Sequence, residues 1–121
     1  MKYDNNNIFA KILRGEIPCE KIYEDDFVLS FYDINPQKKI HVLVIPRGKY
    51  IDLDDFSSKA TPEEMTGLLK GINTVAKKLG ISVDTGKGYR ALTNISEDGG
   101  QEVPHLHFHL FGGEKVGKMV G

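Results

Sequence analysis

Three of the four histidines in this chain stand at alternate positions within six residues. Residues 105–110 have the sequence His-Leu-His-Phe-His-Leu, so an apolar residue follows each histidine. Strict alternation is the period of a β-strand, which predicts one face of imidazoles and an opposite face of Leu106, Phe108 and Leu110. Histidine titrates near neutral pH, and three imidazoles in a row do nothing for packing. The pattern therefore favours a functional site held up by a hydrophobic core.

The length and composition predict an ordinary globular protein. The chain has 121 residues, of which 40% are hydrophobic and 27% are charged. Residues 1–121 are therefore expected to form a single domain with one core. The formal net charge of -1 provides no long-range attraction for polyanions, so we expect no nucleic-acid partner and only local binding of phosphate.

The cysteine content and the N-terminus indicate a cytoplasmic location. Cys19 is the single cysteine and cannot form a disulfide within the chain, which fits a reducing compartment. The polar residues 1–7 are not typical of a signal peptide, and no apolar run reaches the length of a membrane span. We therefore expect no membrane partner.

The spacing of apolar residues predicts two helices and five strands. Residues 8–13 have helical spacing and stop before Gly15. Thr61, Pro62 and Glu64 have the pattern of a capping box at the start of a longer helix. Its apolar stripe comprises Met65, Leu68, Leu69, Ile72, Val75, Ala76 and Leu79. Strands are predicted at 20–24, 28–33, 41–45, 89–94 and 105–110. This order favours an α+β fold with a mainly antiparallel sheet covered by the long helix.

Three roles can be considered for the histidines. If the three histidines are ordinary surface residues, their regular alternate spacing is a coincidence. As metal ligands they are poorly spaced, because alternate strand positions lie about 6.6 Å apart and the outer pair about 13 Å; a zinc ion would need His41 or Asp33 from elsewhere. As a nucleophile with proton carriers they suit attack on phosphorus. The glycine-rich segment 99–101 could supply N–H donors to the phosphate, which favours phosphoryl or nucleotidyl transfer without a metal.

Several motifs carry a resemblance to a known family. Residues 105–111 match the motif His-φ-His-φ-His-φ-φ, in which φ is apolar, so the chain resembles the histidine triad (HIT) family. It is most similar to the Hint branch of nucleoside phosphoramidases. The matching segments are 8–12, 16–18, 31–36, 41–46, 88–90, 99–101 and 112–113. The resemblance implies a HIT-like domain, a homodimer with sheets joined edge to edge, and no cofactor. It also implies hydrolysis of adenosine phosphoramidates through a nucleotidyl-histidine intermediate.

The resemblance also implies roles for individual histidines. His107 would be the nucleophile that attacks the α-phosphorus. His105 and His109 would orient it and move protons, and His41 would complete a set of four. The residues expected to bind phosphate are Asn94, Gly100 and Gln101.

The remaining implied residues bind the purine nucleoside. Asp33 would accept hydrogen bonds from both ribose hydroxyls, although its position before Asn35 and Pro36 is also typical of a turn. The apolar walls around the base would be Ile8, Phe9, Ile12, Phe31, Ile34 and Leu43. Each of these apolar residues could equally be an ordinary core residue.

Two departures from the Hint pattern concern specificity. Glu102 occupies a position that is often serine, and the tail of residues 114–121 contains no tryptophan. Three alternatives to a phosphoramidase remain open: a dinucleoside polyphosphate hydrolase, a purine-nucleotide-binding scaffold protein with weak catalysis, and a metal-binding module. For the homodimer, residues 88–94 are the candidate edge strand.

Overall fold

The computed structural model describes residues 2–119, which contain three helices and five strands. In chain order these are α1 (Ile8–Leu13), β1 (Lys21–Glu24), β2 (Val28–Tyr32), β3 (Ile40–Pro46), α2 (Leu53–Lys59), α3 (Pro62–Lys78), β4 (Arg90–Leu92) and β5 (Phe108–Gly112). Among the described residues, no helix combines the length and the hydropathy needed to cross a membrane.

The five strands form one antiparallel sheet in the order β1-β2-β3-β5-β4. The α+β fold with a five-stranded antiparallel sheet is therefore confirmed. The central pair is β3 and β5, in which Leu43 is opposite His109 and His41 is opposite Phe111. Side chains two positions apart on a strand share a face, so this register brings His41 and His109 onto the same face as diagonal neighbours.

The other face of the sheet packs against α3. Leu106 and Leu110 are fully buried in one cluster with Leu68, Ile72 and Val75, and Phe108 packs against the same cluster. The predicted contact between the apolar positions of the histidine segment and the long helix is confirmed. Leu69, which the predicted stripe included, is instead 67% exposed, because it lies at the edge of the helix face that meets the sheet.

The predicted ends of α3 are also confirmed. The Thr61 side chain accepts a hydrogen bond from the Glu64 N–H, and the Glu64 carboxylate accepts one from the Thr61 N–H. Pro62 is the first helical residue, and Gly80 follows the helix with a φ of 73°. The backbone N–H groups of Thr61 and Glu64 are therefore both hydrogen-bonded within the first turn.

The prediction of two helices was wrong, because α2 is a third. The Asp52 side chain caps it by accepting the Asp55 N–H over 2.8 Å. Only Phe56 is buried within it. A seven-residue helix with so few apolar residues has no stripe that periodicity can detect.

The histidine segment differs from the predicted strand. Strand β5 begins at Phe108, so His105 and His107 precede it. The Leu106 N–H donates to the Tyr50 carbonyl over 2.8 Å instead of pairing with a strand. The imidazoles predicted to share one face therefore differ in exposure: His105 is fully buried, His107 is 5% exposed and only His109 is half-buried.

Candidate active site

A cavity of about 370 Å³ lies at the sheet face that carries His41 and His109. This size falls within the range of small-molecule sites, about 300–1,000 Å³. The lining residues come from α1, the turn after β2, β3, the loop between β4 and β5, and β5. They are Phe9, Asp33, Asn35, Gln37, His41, Leu43, Asn94, Gly100, Glu102, Val103, His107 and His109.

The imidazole of His107 is held in one orientation by a backbone carbonyl. Its Nδ1 lies 2.7 Å from the carbonyl oxygen of His105. A carbonyl only accepts hydrogen bonds, so Nδ1 carries the proton and Nε2 keeps its lone pair. The carbonyl of His107 itself accepts the Thr93 hydroxyl over 2.7 Å, which fixes the backbone. Because His107 lines the cavity, this arrangement provides an uncharged nitrogen nucleophile.

Hydrogen bonds also determine the tautomers of His41 and His109. The backbone N–H of Gln37 donates to His41 Nδ1 over 3.1 Å. An N–H only donates, so neutral His41 carries its proton on Nε2. That nitrogen lies 2.9 Å from His109 Nδ1, which therefore accepts. Neutral His109 consequently carries its own proton on Nε2, at the side of the ring away from His41.

His105 lies beneath the cavity and does not line it. Its Nε2 lies 2.9 Å from the Pro46 carbonyl oxygen, and the Tyr3 hydroxyl lies 2.5 Å from its Nδ1. Nε2 must donate to the carbonyl, so Nδ1 accepts from the phenol. Both ring nitrogens are occupied, and no ring proton of His105 points at the cavity. The role of moving protons that the resemblance implied for His105 therefore lacks a geometric basis, whereas a supporting role has one.

Burial keeps the four imidazoles neutral. It lowers the pKa of His105 and of His109 to about 4, and the neighbouring His107 adds to both shifts. Burial also lowers the pKa of His107 and of His41, against the attraction of the Asp33 carboxylate. Only a neutral imidazole has a lone pair for attack, so the site is ready for nucleophilic chemistry at neutral pH.

Asp33 lies in the cavity and also shapes the turn after β2. One carboxylate oxygen, Oδ1, accepts the Asn35 N–H over 2.8 Å. The other, Oδ2, lines the site 3.5 Å from His41 Nε2. The two interpretations of Asp33, a turn residue and a site residue, therefore both apply.

The glycine-rich loop is braced by its own hydrogen bonds. A side chain at Gly99 would collide with the carbonyl of Ile95. The N–H groups of Gly100 and Gln101 donate to carbonyls within the loop, at 3.1 and 3.0 Å. The Gln101 amide accepts the Ser96 N–H and donates to the carbonyls of Ile51 and Val103. Of the three expected phosphate ligands, Asn94 and Gly100 line the cavity and Gln101 does not, because its amide ties the loop to the rest of the chain.

The expected apolar walls divide into three groups. Phe9 and Leu43 line the cavity. Phe31 is buried behind them, and Ile12 packs against the same cluster. Ile8 and Ile34 are 41% and 88% exposed and lie outside the cavity lining. The burial of Phe31 and Ile12 reflects an ordinary core role.

Four lining residues were not among the predicted site residues. Asn35 and Gln37 follow Asp33 in the same turn, and Glu102 and Val103 follow the glycine pair. Asn35 could have been found by its proximity to Asp33, and Glu102 and Val103 by their proximity to the glycine-rich loop. Nothing in the sequence indicates the hydrogen bond that the Gln37 N–H donates to His41 Nδ1. The tail without tryptophan runs through residues 114–121, of which 120–121 lie outside the described range.

One group in this cavity has the composition of a metal site. Ligand atoms of Asp33, His41 and His109 lie within 4.8 Å of one another. The Gln37 N–H occupies the lone pair of His41 Nδ1, however, so the nitrogen that faces Asp33 and His109 carries a proton. A metal ligand needs that lone pair free. The hydrogen bonds of this cluster therefore do not fit a bound metal ion.

Comparison with known proteins places this chain in a family. The family model described as the HIT domain matches residues 14–116. The chain is 52% identical over 118 residues to an uncharacterized 13.2 kDa HIT-like protein of Azospirillum brasilense, covering 98% of this chain and 94% of that protein. It is 41% identical over 114 residues to the purine nucleoside phosphoramidase of Escherichia coli K12, covering 93% and 92%. Among solved structures, a HIT family hydrolase from Clostridium thermocellum is similar with a TM-score of 0.85 at 37% identity, covering 97% and 98%. The chain belongs to the histidine triad (HIT) family.

Proposed function

We propose that this protein hydrolyses purine nucleoside 5′-phosphoramidates to a nucleotide and an amine through a nucleotidyl-His107 intermediate. The tautomer of His107 is the observation that supports this proposal most directly. Its Nδ1–H donates to the His105 carbonyl, so the Nε2 lone pair is available in the cavity. The similarity to a protein named purine nucleoside phosphoramidase supports the same chemistry.

In the first half of the reaction, His107 Nε2 forms a bond to the α-phosphorus. The bond between phosphorus and the amine nitrogen breaks, and the electron pair leaves with that nitrogen. His107 is positively charged in the intermediate, because it keeps its Nδ1 proton. The His105 carbonyl accepts that proton's hydrogen bond throughout, which stabilises the charge.

The leaving nitrogen needs a proton, and His41 and His109 supply it as a pair. The rings of His107 and His109 have centroids 5.1 Å apart, so His109 is beside the reacting atoms. A bound anionic phosphate raises imidazole pKa values, and Asp33 acts in the same direction on His109. The pair takes up one proton from solvent as the nucleotide binds, passes it to the amine and becomes neutral again.

In the second half, water attacks the same phosphorus. The neutral pair of His41 and His109 accepts the proton of the attacking water and releases it to solvent as the nucleotide leaves, which offsets the proton taken up when the substrate bound. The bond between phosphorus and His107 Nε2 then breaks, and the free imidazole is regenerated. The net reaction consumes one water molecule and needs no metal or cofactor.

The rest of the cavity binds the nucleotide. Asp33 Oδ2 is available to accept ribose hydroxyls, since Oδ1 is engaged by the Asn35 N–H. Phe9 and Leu43 provide apolar surface for the purine, and Asn94 provides an amide for phosphate oxygens. The rings of Phe9 and His107 pack edge to face with centroids 5.0 Å apart, so Phe9 also holds the nucleophile in place.

The charge of the cavity favours phosphoramidates over polyphosphates. Among the described residues that line it, Asp33 and Glu102 are negatively charged and none is lysine or arginine. A nucleoside 5′-phosphoramidate is a monoester that carries one negative charge at phosphorus, whereas a polyphosphate chain carries several. Repulsion from two carboxylates disfavours the more charged substrate. A dinucleoside polyphosphate hydrolase is therefore the weaker alternative.

The experiment is a comparison of kcat/KM for an adenosine 5′-phosphoramidate and for a diadenosine polyphosphate, with and without a chelator. We expect the phosphoramidate to be the better substrate and the chelator to have no effect. A preference for the polyphosphate would support the alternative hydrolase. Nucleotide binding without turnover of either compound would support a scaffold protein, and loss of turnover with the chelator would support a metal enzyme.

We also propose that two copies associate through β4. Within the described sheet β4 is an edge strand, with β5 as its neighbour. An unpaired edge readily pairs with another strand. The Arg90 guanidinium of this strand donates to the carbonyls of Gly117 and Lys118, which holds the tail beside the same edge. Sedimentation at micromolar concentration should give about twice the chain mass of 13.5 kDa, and a monomer mass would exclude the dimer.

A further inference from the structure

We infer that Tyr3 is a positioning residue for the reactive imidazole, acting through His105. Its hydroxyl donates to His105 Nδ1 over 2.5 Å, across a sequence separation of 102 residues. The inference rests on the proposed function of His107 as the nucleophile. It assigns the N-terminal segment a part in the reaction that the histidine motif does not contain.

The first step is that Tyr3 completes the hydrogen bonds that hold the His105 ring. The His105 side chain is fully buried, so each of its ring nitrogens needs a partner. Pro46 offers only a carbonyl oxygen, 2.9 Å from Nε2. A neutral ring that donates from Nε2 must accept at Nδ1, and the Tyr3 phenol is the donor placed there. Without that donor, the tautomer that keeps the Pro46 bond would leave Nδ1 buried and unpaired, and the other tautomer would place the Nε2 lone pair against the Pro46 carbonyl oxygen.

The second step connects His105 to the nucleophile. The carbonyl oxygen of His105 accepts the Nδ1 proton of His107 over 2.7 Å. Side chain and carbonyl belong to one residue, and the side chain is held at two points, by Pro46 and by Tyr3. Fixing the ring therefore fixes the direction of the carbonyl that selects the His107 tautomer. A loose His105 would let His107 place its proton on Nε2, where no lone pair would remain for attack.

The third step is that the N-terminal segment contacts both imidazoles. Tyr3 meets His105 edge-on at a centroid distance of 5.6 Å, and Phe9 meets His107 edge-on at 5.0 Å. Asn7 links the residues that make these two contacts. Its side-chain oxygen accepts the Ala10 N–H and caps α1, and its side-chain nitrogen donates to the Asp4 carbonyl. The segment from Tyr3 to Phe9 is thus a local unit that holds two rings of the triad from one side.

The test is the variant Tyr3→Phe, which removes one oxygen and keeps the ring. We expect kcat for an adenosine phosphoramidate to fall about tenfold, with KM changed less than about threefold, since the loss concerns the nucleophile and not nucleotide binding. The matched control is Tyr23→Phe, which removes a phenol bonded to the Asp25 carboxylate over 2.8 Å outside the cavity lining. It should keep the wild-type kcat.

A second readout separates positioning from a general loss of structure. Long-range ¹H–¹⁵N spectra of labelled protein report which ring nitrogen of each histidine is protonated. Wild type should show His105 protonated at Nε2 and His107 at Nδ1. In Tyr3→Phe, His105 should stay protonated at Nε2 because the Pro46 carbonyl remains, whereas His107 should show a mixture of tautomers. The wild-type spectrum alone is informative if the variant does not fold, because His105 protonated at Nδ1 would overturn the inference.

The remaining outcomes are also decisive. An unchanged kcat in Tyr3→Phe would overturn the inference, as would a lower kcat with unaltered tautomers, which would indicate a structural effect only. If the wild-type protein does not turn over phosphoramidates, the proposed function fails. The inference about the reaction then fails with it, while the tautomer spectra still show whether Tyr3 holds His107 in one tautomer.

Discussion

His107 Nδ1 donates a hydrogen bond to the carbonyl oxygen of His105, 2.7 Å away, and this contact directs the other ring nitrogen to the cavity. A nucleophilic imidazole must be both neutral and oriented. Burial lowers the pKa of His107, and the carbonyl selects the tautomer. The two requirements are met by separate features of the structure, so they can be tested separately.

Stability should depend on pH through the buried His105. Its pKa is lowered from 6.5 to about 4 by burial. Between these values the unfolded chain binds a proton that the native chain does not, so the free energy of unfolding falls as pH falls from about 6.5 to about 4. The loss due to this residue is about 3 kcal/mol at the lower end.

Denaturant titrations across this pH range measure the effect. The control is His105→Asn, which removes the titrating group. The difference in unfolding free energy between wild type and variant should shrink as pH falls through this window. A difference that stays constant with pH would show that His105 is protonated equally well in the native chain.

Asp33 should distinguish ribonucleotides from dideoxynucleotides. A carboxylate accepts hydrogen bonds from the two ribose hydroxyls at about 1.5–3 kcal/mol each. Asp33→Asn keeps an oxygen for the Asn35 N–H but removes the charge. Calorimetric titration should show a large loss of affinity for the ribonucleotide and a small one for its 2′,3′-dideoxy analogue. Equal losses for the two ligands would leave Asp33 as a turn residue without a role in ribose binding.

Glu102 should select against negatively charged leaving groups. Its carboxylate lines the cavity that contains His107. Glu102→Gln should raise kcat/KM by about threefold for a phosphoramidate whose amine carries a carboxylate, and much less for one with a neutral amine. The control is Glu97→Gln, in the same loop but outside the cavity lining. The same gain for neutral and anionic amines would argue against an electrostatic role.

The sequence predicted those parts of the fold that depend on local patterns. Alternation at residues 105–110 indicated which side chains face α3, because a period of two separates the faces of an extended chain whatever its partners. Thr61, Pro62 and Glu64 indicated the start of α3, because capping involves residues three apart. The resemblance to the HIT family identified His41 as a site residue, although it is distant in sequence from the triad.

The features that could not be predicted depend on contacts between distant segments. His105 is buried because Tyr3 and Pro46 reach it from 102 and 59 residues away. Gln101 does not line the cavity because its side-chain amide donates a hydrogen bond to the carbonyl of Ile51, 50 residues away. Alternation describes which way a side chain points and not what covers it, so three equivalent imidazoles in the sequence occupy three different environments in the structure.

The measurement that tests the nucleophile most directly is mass spectrometry of protein quenched during turnover of an adenosine phosphoramidate. Wild type should carry one nucleotidyl group, located on the peptide that contains His107. His107→Asn should carry none and should lose turnover, while its affinity for the product nucleotide stays within about tenfold because Asp33, Phe9 and Leu43 remain. A nucleotidyl group on another residue, or a His107→Asn variant that retains most of its activity, would contradict covalent catalysis by His107.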